Sequence, residues 1–221
     1  MAYDTILFDL DGTLLDTLED LKDAVNHELE REGDPPRTLE EVRGFVGNGF
    51  RMLMTRALPQ GLSQEEIDRR TASMAAWYGD HSQVRTRPYD GILPLLEALR
   101  QAGRALAVVS NKGDAVVGPL CEHYFPGLLD AAVGEVPGLR RKPDPDTVEL
   151  ALRRMNRGRE GAVYIGDSDV DIATARNAGL PCISVTWGFR SREELERAGA
   201  SVLVDTPEQL LALLTGSAGA D

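Results

Sequence analysis

Short, largely apolar runs recur along the chain. They cover residues 5–8, 105–109, 128–133, 162–165, 182–185 and 202–204. A strand apolar at both odd and even positions is covered on both faces, which predicts a parallel sheet between helical layers. Helical spacing fills the intervals. Residues 92–102 carry Leu95, Leu96 and Leu99 on one stripe and stop at Gly103, a natural helix-terminating residue. Asp144 and Pro145 read as an N-cap followed by proline at the first helical position. Thr206, Pro207, Glu208 and Gln209 repeat that form, with Gln209 closing a capping box. From about residue 88 onward, strand and helix alternate, which predicts a doubly wound, mainly parallel α/β sheet.

Residues 17–87 break the alternation. They contain three or four helical patterns and no convincing strand, with helix starts expected at Thr17/Asp20, Thr38/Glu41 and Ser63/Glu66. The expected organisation is a Rossmann-like core of residues 1–16 and 88–215, an all-helical insert of residues 17–87, and a flexible tail at 216–221.

Composition narrows the function classes. The 221-residue chain carries a formal net charge of -12 and no basic stripe, which argues against a nucleic-acid partner. An anionic small molecule remains compatible, because a bound cation can invert the field at a site. The two cysteines are far apart and without metal-ligand spacing. The expected location is therefore a reducing cytoplasm. No leader pattern is read at the start, and no apolar run reaches the roughly 20 residues of a membrane helix, so no membrane partner is expected. A monomer and a homodimer are both compatible with the sequence.

Polar clusters follow the apolar runs, and ligands of open parallel sheets bind beyond the carboxyl ends of the strands. Asp9 and Asp11 sit two residues apart at the first strand end, so both carboxylates can face one side. Two such groups repel unless a proton or a hard cation lies between them. Gly12 permits a sharp turn that brings backbone N–H groups, including that of Thr13, towards an anion. Val108, Val109, Ser110, Asn111 and Lys112 form the second cluster, in which the Ser110 hydroxyl can bond a phosphate oxygen. Lys142 precedes a helix start, where its charge and the helix dipole both favour an anion. Asp167 ends the 162–165 strand as a further oxygen ligand, while Asp169 and Asp171 also suit the first turn of the next helix. Each cluster alone reads equally as a turn or a solvated surface.

Together, in this order, they resemble the motifs of the haloacid dehalogenase-like phosphatase superfamily. The matching residues are Asp9 to Asp16, Val108 to Ser110, Lys142 with its Pro-Asp-Pro-Asp, and Gly166 to Asp171. The resemblance implies Asp9 as nucleophile and Asp11 as acid and base. It implies Mg²⁺ held by the Asp9 carboxylate, the Asp11 carbonyl and Asp167. Ser110 and Lys142 would grip the phosphoryl group, helped by Gly12, Thr13 and Asn111. Asp171 would orient Lys142 or reach the metal through water. The helical insert would be a mobile cap.

Within that insert, Arg43 precedes Gly47, Asn48 and Gly49. The spacing alone suits a tight turn between helices. The resemblance extends to the bacterial phosphoglycolate phosphatase subgroup, which implies 2-phosphoglycolate as substrate and these residues as its cap-borne contacts. A pyrophosphatase, a sugar-phosphate phosphatase or a mutase would share every core residue. An inactive scaffold on the same fold is the non-enzyme alternative. Lys22, the one lysine of the insert, is expected at the surface, which argues against a Schiff-base phosphonate hydrolase. His27, His81 and His123 show no ligand spacing.

Overall fold

The computed structural model describes residues 3–216, so residues 217–221 of the expected tail lie outside them. The chain divides into two compact units. One runs to Leu15 and resumes at Pro88, and the other is Asp16–Arg87.

The first unit is built on a six-stranded sheet. Its strands are β1 (Thr5–Phe8), β4 (Ala105–Gly113), β5 (Ala131–Glu135), β6 (Ala162–Gly166), β7 (Cys182–Val185) and β8 (Leu203–Val204). The order is β5-β4-β1-β6-β7-β8. β1 pairs in parallel with both β4 and β6, so the chain winds outward on either side of it. Helices α5 (Ile92–Gln101), α6 (Asp114–Tyr124), α7 (Asp146–Arg154), α8 (Asp169–Ala178) and α9 (Arg192–Arg197) lie between the strands in sequence, and α10 (Pro207–Thr215) follows the last. Alternation along β1 divides the core. Ile6 and Phe8 pack with Leu96 and Leu99 of α5, Leu120 of α6 and Leu210 of α10. Leu7 packs on the opposite face with Val148 and Ala151 of α7 and Ala175 of α8. This is the doubly wound parallel α/β architecture expected from the doubly apolar runs.

The second unit holds helices α1 (Leu18–Arg31), α2 (Leu39–Phe45), α3 (Gly49–Ala57) and α4 (Gln64–His81). The chain passes between the units through two short paired strands, β2 (Leu15–Asp16) and β3 (Arg87–Pro88). Inside the second unit, the Asp20 carboxylate accepts from the backbone N–H groups of Val84, Arg85 and Thr86 at 2.9–3.2 Å.

Several local expectations are corrected. Thr38 and Glu41 form a full capping box, and α1 starts after Thr17 as expected, although the Thr17 side chain makes no cap hydrogen bond. The 128–133 run becomes a strand only at Ala131, because Leu128 packs against the core as a loop residue; Asp130 accepts from the N–H of Leu106. Helix α7 starts at Asp146 rather than after Asp144, whose carboxylate pairs with Arg140 instead of capping the helix. Thr206 caps α10, yet Gln209 returns its oxygen to the N–H of Asp205, one residue before the expected partner. Gly216, the first residue of the expected tail, closes α10 in the left-handed conformation.

Candidate active site

The switch point of the sheet lies at β1, between β4 and β6, and the polar clusters converge at the carboxyl ends of these strands. The Asp9 N–H donates to the Ile165 carbonyl at 2.8 Å, so the ladder holds the backbone of Asp9 in place. Beyond it the chain turns back on itself. The Leu10 carbonyl accepts from Leu14 and Leu15, and the Gly12 N–H donates to the Leu15 carbonyl at 2.9 Å. The expectation that the Gly12 and Thr13 N–H groups face an anion is corrected here, because the turn consumes them: Thr13 donates to Leu10. Gly12 is required for another reason. It has φ 86°, and a Cβ there would lie 2.4 Å from Asp167 Oδ2.

Lys142 is buried with its side chain 2% exposed. Its ammonium lies 2.8 Å from Asp9 Oδ1 and 2.8 Å from Asp171 Oδ1. It also donates towards Val109 O at 3.2 Å and the Tyr164 hydroxyl at 3.0 Å. Burial alone would drive the proton off this amine, but Asp171 and Asp9 outweigh it and hold the lysine charged. Burial keeps the Tyr164 phenol protonated. Asn111 serves this lysine. Its side-chain amide brackets the Lys142 backbone, accepting from the N–H at 2.9 Å and donating to the carbonyl at 3.1 Å. Asp171 has two tasks. Oδ1 holds Lys142, while Oδ2 accepts from the Ser168 N–H and hydroxyl, completing the capping box that starts α8.

Asp167 is fixed by the Thr13 hydroxyl at 3.1 Å and the Phe189 N–H at 2.7 Å. The Phe189 contact comes from the segment after β7, which the sequence reading did not single out. Gly188 lets that segment close in, since a Cβ there would meet Asp167 Cβ at 2.3 Å and the Gly12 carbonyl at 2.4 Å. Trp187 Nε1 ties the segment to the Thr13 carbonyl at 3.0 Å. Burial, then the nearby Asp171 charge, push Asp167 up to about 7. Burial and Asp171 likewise raise Asp9 well above the usual carboxylate range, against the pull of Lys142.

Carboxylate oxygens of Asp9, Asp167 and Asp171 lie within 4.8 Å of one another. The donor set is all oxygen and carries more negative charge than its buried surroundings tolerate, which fits a hard divalent cation. Asp11 faces the strand next door. Lys112 Nζ lies 2.8 Å from its Oδ1, and Ser110 Oγ lies 3.4 Å from its Oδ2.

In the second unit, Gly47 (φ 124°) and Gly49 (φ 77°) shape the turn between α2 and α3. The Asn48 side chain accepts from Arg56 at 2.8 Å, and Arg56 also grips the Phe45 carbonyl. Arg43 lies 3.4 Å from Glu40 of its own helix. Arg51 is bound to Asp68 and Gln64. Lys22 pairs with Asp23.

A doubly wound sheet that gathers buried carboxylates and a charged lysine at its switch point has the site of a ligand-binding α/β protein suited to a cation and an anion together. The chain belongs to the haloacid dehalogenase-like hydrolase family, whose model matches residues 6–185. It is 34% identical to the phosphoglycolate phosphatase of Pseudomonas putida, over 96% of this chain and 79% of that one. It is 32% identical to the N-acetylmuramic acid 6-phosphate phosphatase of Pseudomonas aeruginosa, over 97% and 96% of the two chains. A crystal structure from Lactobacillus delbrueckii, provisionally described as a phosphoglycolate phosphatase, superposes with a TM-score of 0.93 at 40% identity, covering 98% and 100% of the chains. Among the described residues, no helix is long and apolar enough to cross a membrane.

Proposed function

We propose that the protein is a Mg²⁺-dependent phosphomonoester hydrolase working through an aspartyl-phosphate on Asp9, with 2-phosphoglycolate as substrate. The observation that carries this reading is the buried cluster of Asp9, Asp167 and Asp171 around the Lys142 ammonium.

A carboxylate oxygen of Asp9 attacks phosphorus. The bond from phosphorus to the leaving oxygen breaks, and that oxygen takes the proton of Asp11. Asp11 then accepts a proton from the water that attacks the aspartyl-phosphate. The bond between Asp9 and phosphorus breaks, and inorganic phosphate leaves. Lys142 has three protons for four acceptors. Phosphorylation removes the charge of Asp9, so the lysine proton directed at it turns to a phosphoryl oxygen. Ser110 holds a second phosphoryl oxygen. Asp171 fixes Lys142 and has two protein donors on each oxygen, against one on each oxygen of Asp167, which supports water-mediated contact with the cation. Mg²⁺, held by the Asp9 and Asp167 carboxylates and the Asp11 carbonyl, would supply charge neutralisation for an anionic nucleophile meeting an anionic substrate.

The helical unit of residues 17–87 is read as the substrate-selecting cap, with Arg43, Gly47, Asn48 and Gly49 as its recognition loop. The names of the relatives support 2-phosphoglycolate and also favour a second reading, a sugar 6-phosphate, since the N-acetylmuramic acid 6-phosphate phosphatase matches nearly the whole chain. The cytoplasm is the proposed location, and no nucleic-acid partner is proposed. Phosphate release with Mg²⁺ across 2-phosphoglycolate, N-acetylmuramic acid 6-phosphate, pyrophosphate and hexose phosphates decides the matter. Preference for 2-phosphoglycolate is expected. Preference for another monoester overturns the substrate, and silence on the whole panel overturns the reaction.

A further inference from the structure

Strand β4 does not stop at Ser110. It continues to Gly113, and its ladder with β5 slips on the way, pairing Val109 with Val133 but Gly113 with Glu135. The extra residues form an irregularity that re-aims side chains at the strand end. Ser110 and Lys112, two positions apart, both reach Asp11 of the neighbouring loop. Lysines usually keep the ammonium in water while burying the stem. Lys112 instead has a side chain only 2% exposed, with Nζ 2.8 Å from Asp11 Oδ1. The backbone reinforces this placement, since the Lys112 N–H donates to Ser110 Oγ at 3.1 Å.

We propose that Lys112 is the positioning residue for Asp11, assigning its two carboxyl oxygens different tasks. An ammonium donates and never accepts. It therefore engages Oδ1 whether Asp11 is ionised or protonated, and the transferable proton must reside on Oδ2. The carboxyl group keeps one orientation through both halves of the reaction. Oδ1 is the anchor, and Oδ2 delivers the proton to the leaving oxygen and later receives the proton of the attacking water. This inference rests on the reading of Asp11 as acid and base.

The test is kcat/KM for 2-phosphoglycolate and for aryl phosphates whose phenols span a range of acidity. This constant reports only the steps through cleavage of the ester bond, where the leaving group needs its proton. The unaltered enzyme should depend weakly on phenol acidity. Lys112→Met should lose about 10²-fold on 2-phosphoglycolate, within the range a positioned acid supplies. It should act nearly normally on the ester of the most acidic phenol, and so show a steeper dependence. Lys112→Arg should restore the shallow dependence in part. Asp11→Asn sets the limit of steepness. If Asp11→Asn steepens the dependence while Lys112→Met lowers every substrate equally, Lys112 is structural and the inference is overturned. If Asp11→Asn leaves the dependence unchanged, the acid reading itself fails, and this inference falls with it. Should Lys112→Met not fold, Lys112→Gln is read in the same way, with folding followed by thermal denaturation.

Discussion

Substituting Gly188 by alanine isolates one contact in the site. Gly188 is not among the glycines with positive φ, so alanine adds no backbone strain, and its effect comes from the methyl group. That methyl would start 2.3 Å from Asp167 Cβ and 2.4 Å from both Asp167 Oδ2 and the Gly12 carbonyl. Two of these neighbours belong to a carboxylate held on both oxygens, so neither side yields freely. The segment after β7 must retreat. Overpacking of this kind costs about 1–3 kcal/mol. Retreat also stretches the bond from the Phe189 N–H to Asp167, 2.7 Å at present, and bonds to charged groups contribute about 1.5–3 kcal/mol. A total near 3 kcal/mol would lower Tm by roughly 6–12 °C in a chain of this size. Asp167 would lose its fixed orientation, and loss of a partner that orients a metal ligand lowers metal affinity about 10–100-fold. Thermal denaturation without metal measures the first effect, and a Mg²⁺ titration of activity measures the second. Unchanged Tm together with an unchanged Mg²⁺ midpoint would show that the segment after β7 does not hold Asp167.

Asp9→Asn should abolish turnover while leaving a folded protein, because Lys142 keeps Asp171; near-normal phosphate release would remove Asp9 from the nucleophile role. Lys142→Met should destabilise by about 3–5 kcal/mol in urea unfolding, since it strands Asp9 and Asp171 without a cation; a change below about 1 kcal/mol would contradict that, being within the range of exposed ion pairs. The metal-free protein should lose stability as pH rises from about 4 to 7, because Asp167 binds its proton more tightly folded, at about 7, than unfolded. Mg²⁺ should flatten that slope, and a pH series of Tm with and without the ion checks both statements. EDTA should remove activity and added Mg²⁺ should return it, with full turnover in chelator refuting the metal assignment.

The sheet was legible because β1, β6 and β7 are largely apolar at odd and even positions alike, a pattern that suits a doubly covered strand. Asp9, Lys142 and Asp167 were legible because each follows an apolar run or opens a turn. The start of β5 was misjudged because Leu128 is apolar for a different reason, packing as a loop residue against the core. Lys112 stood in the second cluster without a role, and Tyr164, Phe189 and Gly188 were given none, because their roles arise only where distant elements meet. Faint signals existed. Tyr164 is the one polar tip in a run of small and aliphatic residues, and Lys112 is a charge following an apolar run without an intervening glycine or proline. Neither says what it will touch. Asn111 shows the same limit, since an amide that suits a ligand suits the Lys142 backbone equally.

The clip that Asp20 makes on residues 84–86 has an architectural consequence. It ties the last stretch of the helical unit to its first helix, so the unit's beginning and end are held side by side by its own bonds. A segment with adjoining ends can be inserted, lengthened or exchanged at a single point of a host chain without asking the host to span a gap. Chimaeras that trade Asp16–Arg87 for the equivalent stretch of a relative should therefore carry this clip with the graft, leaving the host's strand order untouched.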